Sequence, residues 1–138
     1  MAEKPATITY SIGEPFEQAL KTVRSVLTGR GLRVSGELDI SSRIRQRLMI
    51  GTAPCVVLLV SPSATLGRAL GIDSCAAGLA PLHVVVSSRG AQSEVHVLRI
   101  FPIEGGLLDR QVMAALNQLQ TQILHAVEKI GARVTLSV

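Results

Sequence analysis

The alternation of apolar and polar residues along the chain predicts where its strands lie. Every even position is apolar in residues 7–12, which is typical of a strand with one buried side. The same pattern returns at most even positions of residues 32–40. Residues 54–60 are apolar almost throughout, which is typical of a strand covered on both faces. Three strands are therefore expected in the first 60 residues.

Two further β-rich runs, residues 82–87 and 94–101, are joined by a polar connection that contains Gly90. A glycine-containing connection between two such runs predicts a hairpin whose loop length the sequence leaves open. The two strands are therefore expected to be antiparallel neighbours.

Apolar residues spaced three and four positions apart predict two long helices. The first begins near Pro15, which suits a first helical turn, and ends at the glycines at positions 29 and 31. The second is expected over residues 109–130, with Asp109 as N-cap and Gly131 as its stop. It would be about 33 Å long.

Two short helices are also predicted. One follows the second strand and stops at Gly51; Ser41 or Ser42 caps it, with Asp39 as an alternative cap. The other spans residues 61–70 and begins with a serine and a proline.

The order of these elements predicts an α+β fold. A hairpin without regular βαβ repetition indicates a mainly antiparallel sheet, and we expect two long helices on one face in a β-α-β(4)-α order. The chain has 138 residues, near the commonest domain size, and contains no linker or internal repeat. We therefore expect a single domain over residues 1–138.

The composition bears on the core and on possible partners. Hydrophobic residues make up 47% of the chain but aromatic residues only 2%, so aliphatic side chains must fill the core. Base stacking has almost nothing to use, and a nucleic-acid partner is not expected. The net charge of +4 lies in the first half of the chain and is compatible with ordinary solubility.

The sequence predicts a cytoplasmic location. No apolar run approaches the roughly 20 residues that a membrane helix needs, and the first residues do not resemble a secretory signal, so no membrane partner is expected. Cys55 and Cys75 do not form a Cys-x-x-Cys pair, and we interpret both as buried, unreactive thiols.

The hairpin carries a candidate metal site. If Val84 and Val86 pair with Val95 and Val97, then His83, Glu94 and His96 share one face of the sheet. Two imidazoles and a carboxylate are a possible ligand set for zinc or non-haem iron. The alternative is a solvent-facing or dimer-contact surface, where polar residues alternate by default, and a one-residue register slip would separate the three side chains. No cofactor follows from the sequence.

A candidate anion site follows the third strand. Ser61, Ser63 and Arg68 surround a predicted helix start, where free N–H groups and hydroxyls bind anions. The glycines of a phosphate loop are absent, and helix capping by Ser61 accounts for the same residues.

Arg43, Arg45 and Arg47 place three cations within five residues of the short helix. Such cations are needed for contact with a nucleic-acid backbone, but no aromatic residue is interleaved with them. A solvated helix face is the favoured interpretation.

Several motifs together resemble the bacterial family called domain of unknown function 302, over about residues 7–101. They are Phe16-Glu17-Gln18-Ala19, Gly31-Leu32-Arg33-Val34, Glu37-Leu38-Asp39-Ile40, Ser61-Pro62 and Gly78-Leu79-Ala80-Pro81-Leu82-His83-Val84-Val85-Val86. The resemblance implies a β-α-β(4)-α fold and frequent self-association, without a settled activity.

Two cysteine motifs associated with this resemblance are missing. Cys-Asn-Pro at the end of the third strand is replaced by Val60-Ser61-Pro62, and Pro-Cys-Asn before the fourth by Pro81-Leu82-His83. A redox or metal role that relies on those thiols therefore does not carry over to this chain.

These observations predict a non-catalytic, homodimeric domain that binds a small ligand or another protein. The mean hydropathy of +0.39 and the doubly apolar third strand favour self-association. A groove between the sheet and the long helix is the expected ligand site. The alternative is a metal-dependent or acid–base enzyme that uses His83, Glu94 and His96.

Overall fold

The structure, a computed structural model, describes residues 7–49, 51–61, 82–99 and 110–134. Within these residues the elements are, in chain order, β1 (Thr7–Ile12), α1 (Phe16–Gly29), β2 (Arg33–Asp39), α2 (Ile40–Leu48), β3 (Cys55–Ser61), β4 (Leu82–Arg89), β5 (Gln92–Leu98), α3 (Arg110–Glu128) and β6 (Ala132–Arg133). The predicted helix over residues 61–70, apart from Ser61, lies outside the described residues.

The strands form one antiparallel sheet in the order β2-β3-β4-β5-β1-β6. The long helices α1 and α3 pack on one face of this sheet and contact each other. The α+β fold with a mainly antiparallel sheet, predicted from the sequence, is confirmed.

The helix α1 follows directly from its sequence pattern. Its buried side chains, Ala19, Leu20, Val23 and Leu27, recur every three or four residues and face the sheet. The helix ends where Gly31 adopts φ +80°, a conformation that glycine takes without steric cost. The N–H group of Gly31 donates to Thr28 O at 2.9 Å, which satisfies a carbonyl of the last turn.

The helix α3 ends at Glu128, slightly before the predicted end at Ile130. Beyond it, Gly131 passes so close to β1 that a Cβ atom there would lie 3.0 Å from Ser11 O. A larger residue there would press against β1, so glycine favours the close approach in which the chain pairs as β6. The predicted N-cap, Asp109, lies outside the described residues.

The hairpin forms in the register that the sequence suggested. Val84 pairs with Val97 and Val86 with Val95, and all four side chains are buried against the helices. The turn consists of two residues, and Gly90 at its first position has φ +62°. This arrangement is common in tight hairpins.

The predicted alternation in β2 fails halfway along the strand. The register shifts between Val34 and Gly36, so that Glu37 lies opposite Leu58, on the helix side, and Leu38 lies opposite Val57. A β-bulge adds one residue to the strand and moves every later side chain to the other face. Leu38 is therefore separated from the core to which the pattern had assigned it.

The helix α2 begins and ends differently from the prediction. Its N-cap is Asp39, the alternative cap, whose Oδ1 accepts a hydrogen bond from Ser42 N at 2.9 Å. Bonds from Ser42 N and from the hydroxyls of Ser41 and Ser42 lower the pKa of Asp39. The helix stops at Met49, with φ 57°, rather than at Gly51.

None of the described helices has the length and apolarity that crossing a membrane requires.

Candidate functional site

The candidate site lies on the sheet face turned away from α1 and α3, which we call the outer face. Its side chains come from alternate strand positions and are partly or fully exposed. They are Thr7, Thr9, Ser11, Leu38, Cys55, Val57, Leu59, His83, Val85, Ser87, Glu94, His96 and Leu98. The apolar members cluster on β2–β4, except Leu98 at the end of β5, and the polar members cluster on β4, β5 and β1.

His96 occupies the middle of the polar half. It lies opposite Thr9 on β1 and Val85 on β4. Its Nδ1 atom is 3.0 Å from Thr9 Oγ1, and its Nε2 atom is 3.1 Å from Ser87 Oγ. A neutral imidazole has one donor and one acceptor, so one hydroxyl accepts a hydrogen bond and the other donates one. Both ring nitrogens are therefore engaged within the protein.

His83 and Glu94 share the outer face with His96 but have different neighbours. His83 lies opposite Leu59 and is exposed. Glu94 lies opposite Ser87 and accepts a hydrogen bond from Arg89 at 3.2 Å. In the described part of the chain, no three His, Cys, Asp or Glu side chains are grouped closely enough to hold a metal ion. The metal site stays a prediction that direct metal analysis must test.

Cys55 lies opposite Ser87 on the same face and is a free, half-buried thiol. Burial raises its pKa, and the negative charge of Asp39 raises it further. The thiol is therefore protonated at neutral pH and a poor nucleophile. Cys75 lies outside the described residues.

Ser61, the first residue of the predicted anion site, is the last residue of β3. Ser61 lies opposite Arg33, and its hydroxyl donates to Ser35 Oγ at 2.9 Å. Ser63 and Arg68 lie outside the described residues, so the structure describes only Ser61 of the predicted anion site.

A cleft of about 650 Å³ lies beside Ser35, between the end of α1 and β2. Arg24 on α1 and Glu37 on β2 form a two-bond ion pair across it, in which Arg24 Nη2 is 2.8 Å from Glu37 Oε2. Arg33 also lines the cleft and has no ion-pair partner among the described residues. This cleft had no signal in the sequence, because it depends on how α1 packs beside the bulged strand.

The ligand groove expected between the sheet and the long helix stays a prediction. On the helix side of the sheet, Tyr10, Leu116 and Leu119 are almost fully buried members of one core cluster. The hydroxyl of Tyr10 donates to Glu128 Oε1 at 3.0 Å. Burial, followed by the hydrogen bond to Glu128, raises the pKa of Tyr10 to about 12.

The three arginines of α2 are exposed, as a solvated helix face requires. Among the described residues, the side chains of Arg43, Arg45 and Arg47 form no hydrogen bond or ion pair. They lie beside Leu48 and Met49, whose exposed fractions are 62% and 86%. The apolar spacing predicts a helix that includes Leu48 and Met49, but it does not indicate that their side chains are exposed.

Comparison with known proteins agrees with this architecture. The family model described as "Domain of unknown function DUF302" matches residues 8–130. The crystal structure of an uncharacterized conserved DUF302 protein from Bacillus stearothermophilus is similar, with a TM-score of 0.79 and 12% sequence identity. The match covers 92% of this chain and 99% of that one. A comparison with curated proteins found no match. The chain belongs to the family called domain of unknown function 302.

Proposed function

We propose that the protein is a cytoplasmic, non-catalytic interaction domain that works as a homodimer through its outer face. The observation that carries this proposal is the apolar half of that face. Leu38, Val57, Leu59 and Val85 are all partly exposed there. Apolar patches on a protein surface commonly mark sites of protein contact.

The strand register makes these side chains contiguous. Leu38 lies opposite Val57, which lies opposite Val85, and Leu59 follows two positions after Val57 on β3. Side chains opposite one another on neighbouring antiparallel strands lie about 5 Å apart. The patch therefore extends across three strands. In a two-fold symmetric dimer the same patch of each subunit meets its copy, which such a self-complementary apolar surface allows.

The polar half of the outer face would border this contact. His96 has both ring nitrogens engaged, so burying it would leave neither nitrogen without a partner. His83 and Leu98, which are more exposed, would lie towards the rim, where interfaces remain in contact with water.

Light scattering at micromolar concentration tests the proposal. The wild type should have twice the 14.6 kDa mass of one chain. The variant Val57→Lys/Val85→Lys should be folded and monomeric, because two buried, unpaired ammonium groups oppose the contact. The matched control, Asn117→Lys/Gln118→Lys, adds the same charge on the exposed side of α3 and should stay dimeric. A monomeric wild type, or a dimeric Val57→Lys/Val85→Lys variant, would contradict the proposal.

The cleft between α1 and β2 is the proposed site for a small anionic ligand. Arg33 supplies a cation that has no ion-pair partner among the described residues, and the hydroxyls of Ser35 and Thr28 line the same space. A screen of phosphate, nucleotides and carboxylates should raise the unfolding temperature of the wild type but not of Arg33→Ala. Arg110→Ala is the control for loss of one positive charge. An equal response of Arg33→Ala and the wild type would exclude this site.

The alternative function is acid–base catalysis on the outer face. The hydrogen bond between Ser87 Oγ and His96 Nε2 favours it, because a hydroxyl activated by an imidazole is a common nucleophile. Thr9, rather than a carboxylate, contacts the other ring nitrogen. Activated-ester hydrolysis that disappears in both Ser87→Ala and His96→Gln would support the alternative. Equal rates in the wild type and these variants would exclude it.

The metal-dependent form of this alternative requires His83, Glu94 and His96 to act together. Thr9 and Ser87 would have to release the ring of His96 before either nitrogen could bind a metal. Metal analysis of protein purified without a His-tag, followed by titration with zinc and iron, tests this form. Absence of bound metal and of affinity on titration would exclude it.

A further inference from the structure

We propose that α2 carries a second interaction surface, which binds an acidic, amphipathic segment of another protein. The surface consists of Ile40, Arg43, Ile44, Arg47 and Leu48, which line a hollow of about 290 Å³, together with Met49 at the helix end. It shares no residue with the outer face, and the proposal does not depend on the proposed dimer.

The apolar part of this surface is partly or fully exposed although it has the spacing of a packed helix. Ile40, Ile44 and Leu48 follow one another at four-residue steps, so their side chains lie along one side of α2. Only Ser41 is buried within the helix. Leu48 and Met49 are the two most exposed large apolar side chains of the described residues.

The charges of α2 all have the same sign. The helix contains three arginines and no acidic residue. Arg43 and Arg47 are four positions apart, border the same hollow and have no ion-pair partner among the described residues. Two guanidinium groups at this spacing repel each other, and carboxylates placed between them would remove the repulsion and bind each group through paired hydrogen bonds.

An acidic amphipathic segment is the occupant that fits both features. A second copy of α2 would place arginines against arginines. A nucleic-acid backbone would pair with the arginines but leave Leu48 and Met49 without an apolar partner. A lipid surface would not place a protein side chain in the hollow beside α2. A segment with an apolar anchor between carboxylates would fill the hollow and neutralise Arg43 and Arg47.

Selection from a random peptide library tests the proposal. The full chain is the bait, and Arg43→Glu/Arg47→Glu is used for counter-selection. We expect the enriched peptides to carry aspartate or glutamate around leucine, isoleucine or phenylalanine. The best peptide should bind the Arg43→Glu/Arg47→Glu variant roughly tenfold or more weakly. Replacing its acidic residues by lysine should restore binding to this variant and abolish binding to the wild type.

Two further variants separate specific binding from loss of structure and from net charge. Lys21→Glu/Arg110→Glu makes the same change in charge on α1 and α3 and should bind the peptide as the wild type does. Leu48→Ser/Met49→Ser removes exposed side chains, so it should fold normally and still lose binding. Circular dichroism confirms the folding of each variant.

Three results would overturn the proposal. The first is a lack of enrichment over the counter-selected variant. The second is a set of enriched peptides without acidic residues. The third is binding that depends on Arg43 and Arg47 but is seen only with duplex DNA or with phosphatidylcholine–phosphatidylglycerol vesicles.

Discussion

The two faces of the sheet come from the same strands but differ in what their side chains contact. On the helix side, the valines of β4 and β5 are fully buried or nearly so against α1 and α3. On the outer face, the side chains that alternate with them are partly exposed. Leu58 and Leu59 are neighbours on β3, yet Leu58 is completely buried and Leu59 is not. An apolar residue therefore stabilises the folded chain most where the sheet turns it toward the helices.

The helix-side face therefore contributes mainly to folding stability, and the outer face is the one available for contact with a partner. The helix-side face and the helices packed on it share one cluster of buried apolar side chains, which supplies most of the hydrophobic stabilisation. The outer face retains apolar surface whose burial requires a partner, next to polar groups that hydrogen-bond to one another. The following substitutions compare the two faces, beginning with the largest expected effect.

Leu58→Ala should lower the free energy of unfolding by about 2–5 kcal/mol, because it leaves a cavity in the core. Leu59→Ala is the matched change on the outer face and should cost less than half as much in dilute protein. Its cost should grow with protein concentration, because it also weakens the dimer. Urea unfolding at several concentrations measures both. Equal losses in dilute protein would show that the two faces do not differ.

Tyr10→Phe should lower the free energy of unfolding by about 0.5–1.5 kcal/mol at neutral pH, because the bond to Glu128 is lost. The effect should depend on pH. The folded-state pKa of about 12 lies above the ordinary value of 10.0, so folding favours the protonated phenol. Its contribution is complete below pH 10 and is lost as the pH rises through about 12.

Tyr10 is the sole tyrosine of the chain, so the ultraviolet absorbance of tyrosinate measures its titration without interference. Urea unfolding of the wild type and Tyr10→Phe at increasing alkaline pH measures the linked stability. The difference between the two proteins should decrease above pH 10. A titration midpoint near the ordinary value in the folded protein would show that the phenol is not held as described.

His96→Gln should change the free energy of unfolding by about 1 kcal/mol or less. The hydroxyls of Thr9 and Ser87 are partly exposed and can bind water when the imidazole is removed. Urea unfolding measures the change, with Val95→Ala as the helix-side control on the same strand. A loss for His96→Gln as large as that for Val95→Ala would mean that the outer face is packed as tightly as the core.

The ion pair of Arg24 and Glu37 should make the smallest contribution to the free energy of unfolding. Both side chains are more than one-third exposed, so a double-mutant cycle with Arg24→Ala and Glu37→Ala should give about 0.2–1 kcal/mol. Salt should reduce the value because the charges are screened. A coupling that stays the same in high salt would indicate a contact other than the ion pair.

The sequence predicted the parts of this structure that depend on local patterns. The alternation in residues 7–12 and in the hairpin valines identified which side chains face the helices, and the spacing in α1 identified its buried side. Buried apolar side chains must recur with the period of the strand or helix, so these features are visible in a single sequence.

Other features depend on contacts between distant parts of the chain. The bulge between Val34 and Gly36 leaves no clear mark in the apolar pattern, because it is set by pairing with β3. The hydrogen bond between His96 and Thr9 joins residues 87 positions apart and exists because β5 lies next to β1. Sequence spacing identified His96 as a candidate, but the strand order determined its partners.

Thiol labelling at a single position tests the role of the outer face most directly. In a background with Cys55→Ser and Cys75→Ser, a cysteine is introduced by Val85→Cys on the outer face or by Gln118→Cys on the exposed side of α3. The labelling rate at position 85 should fall as the protein concentration rises from nanomolar to high micromolar, and the rate at position 118 should stay constant. A rate at position 85 that does not change with concentration would contradict self-association through this face.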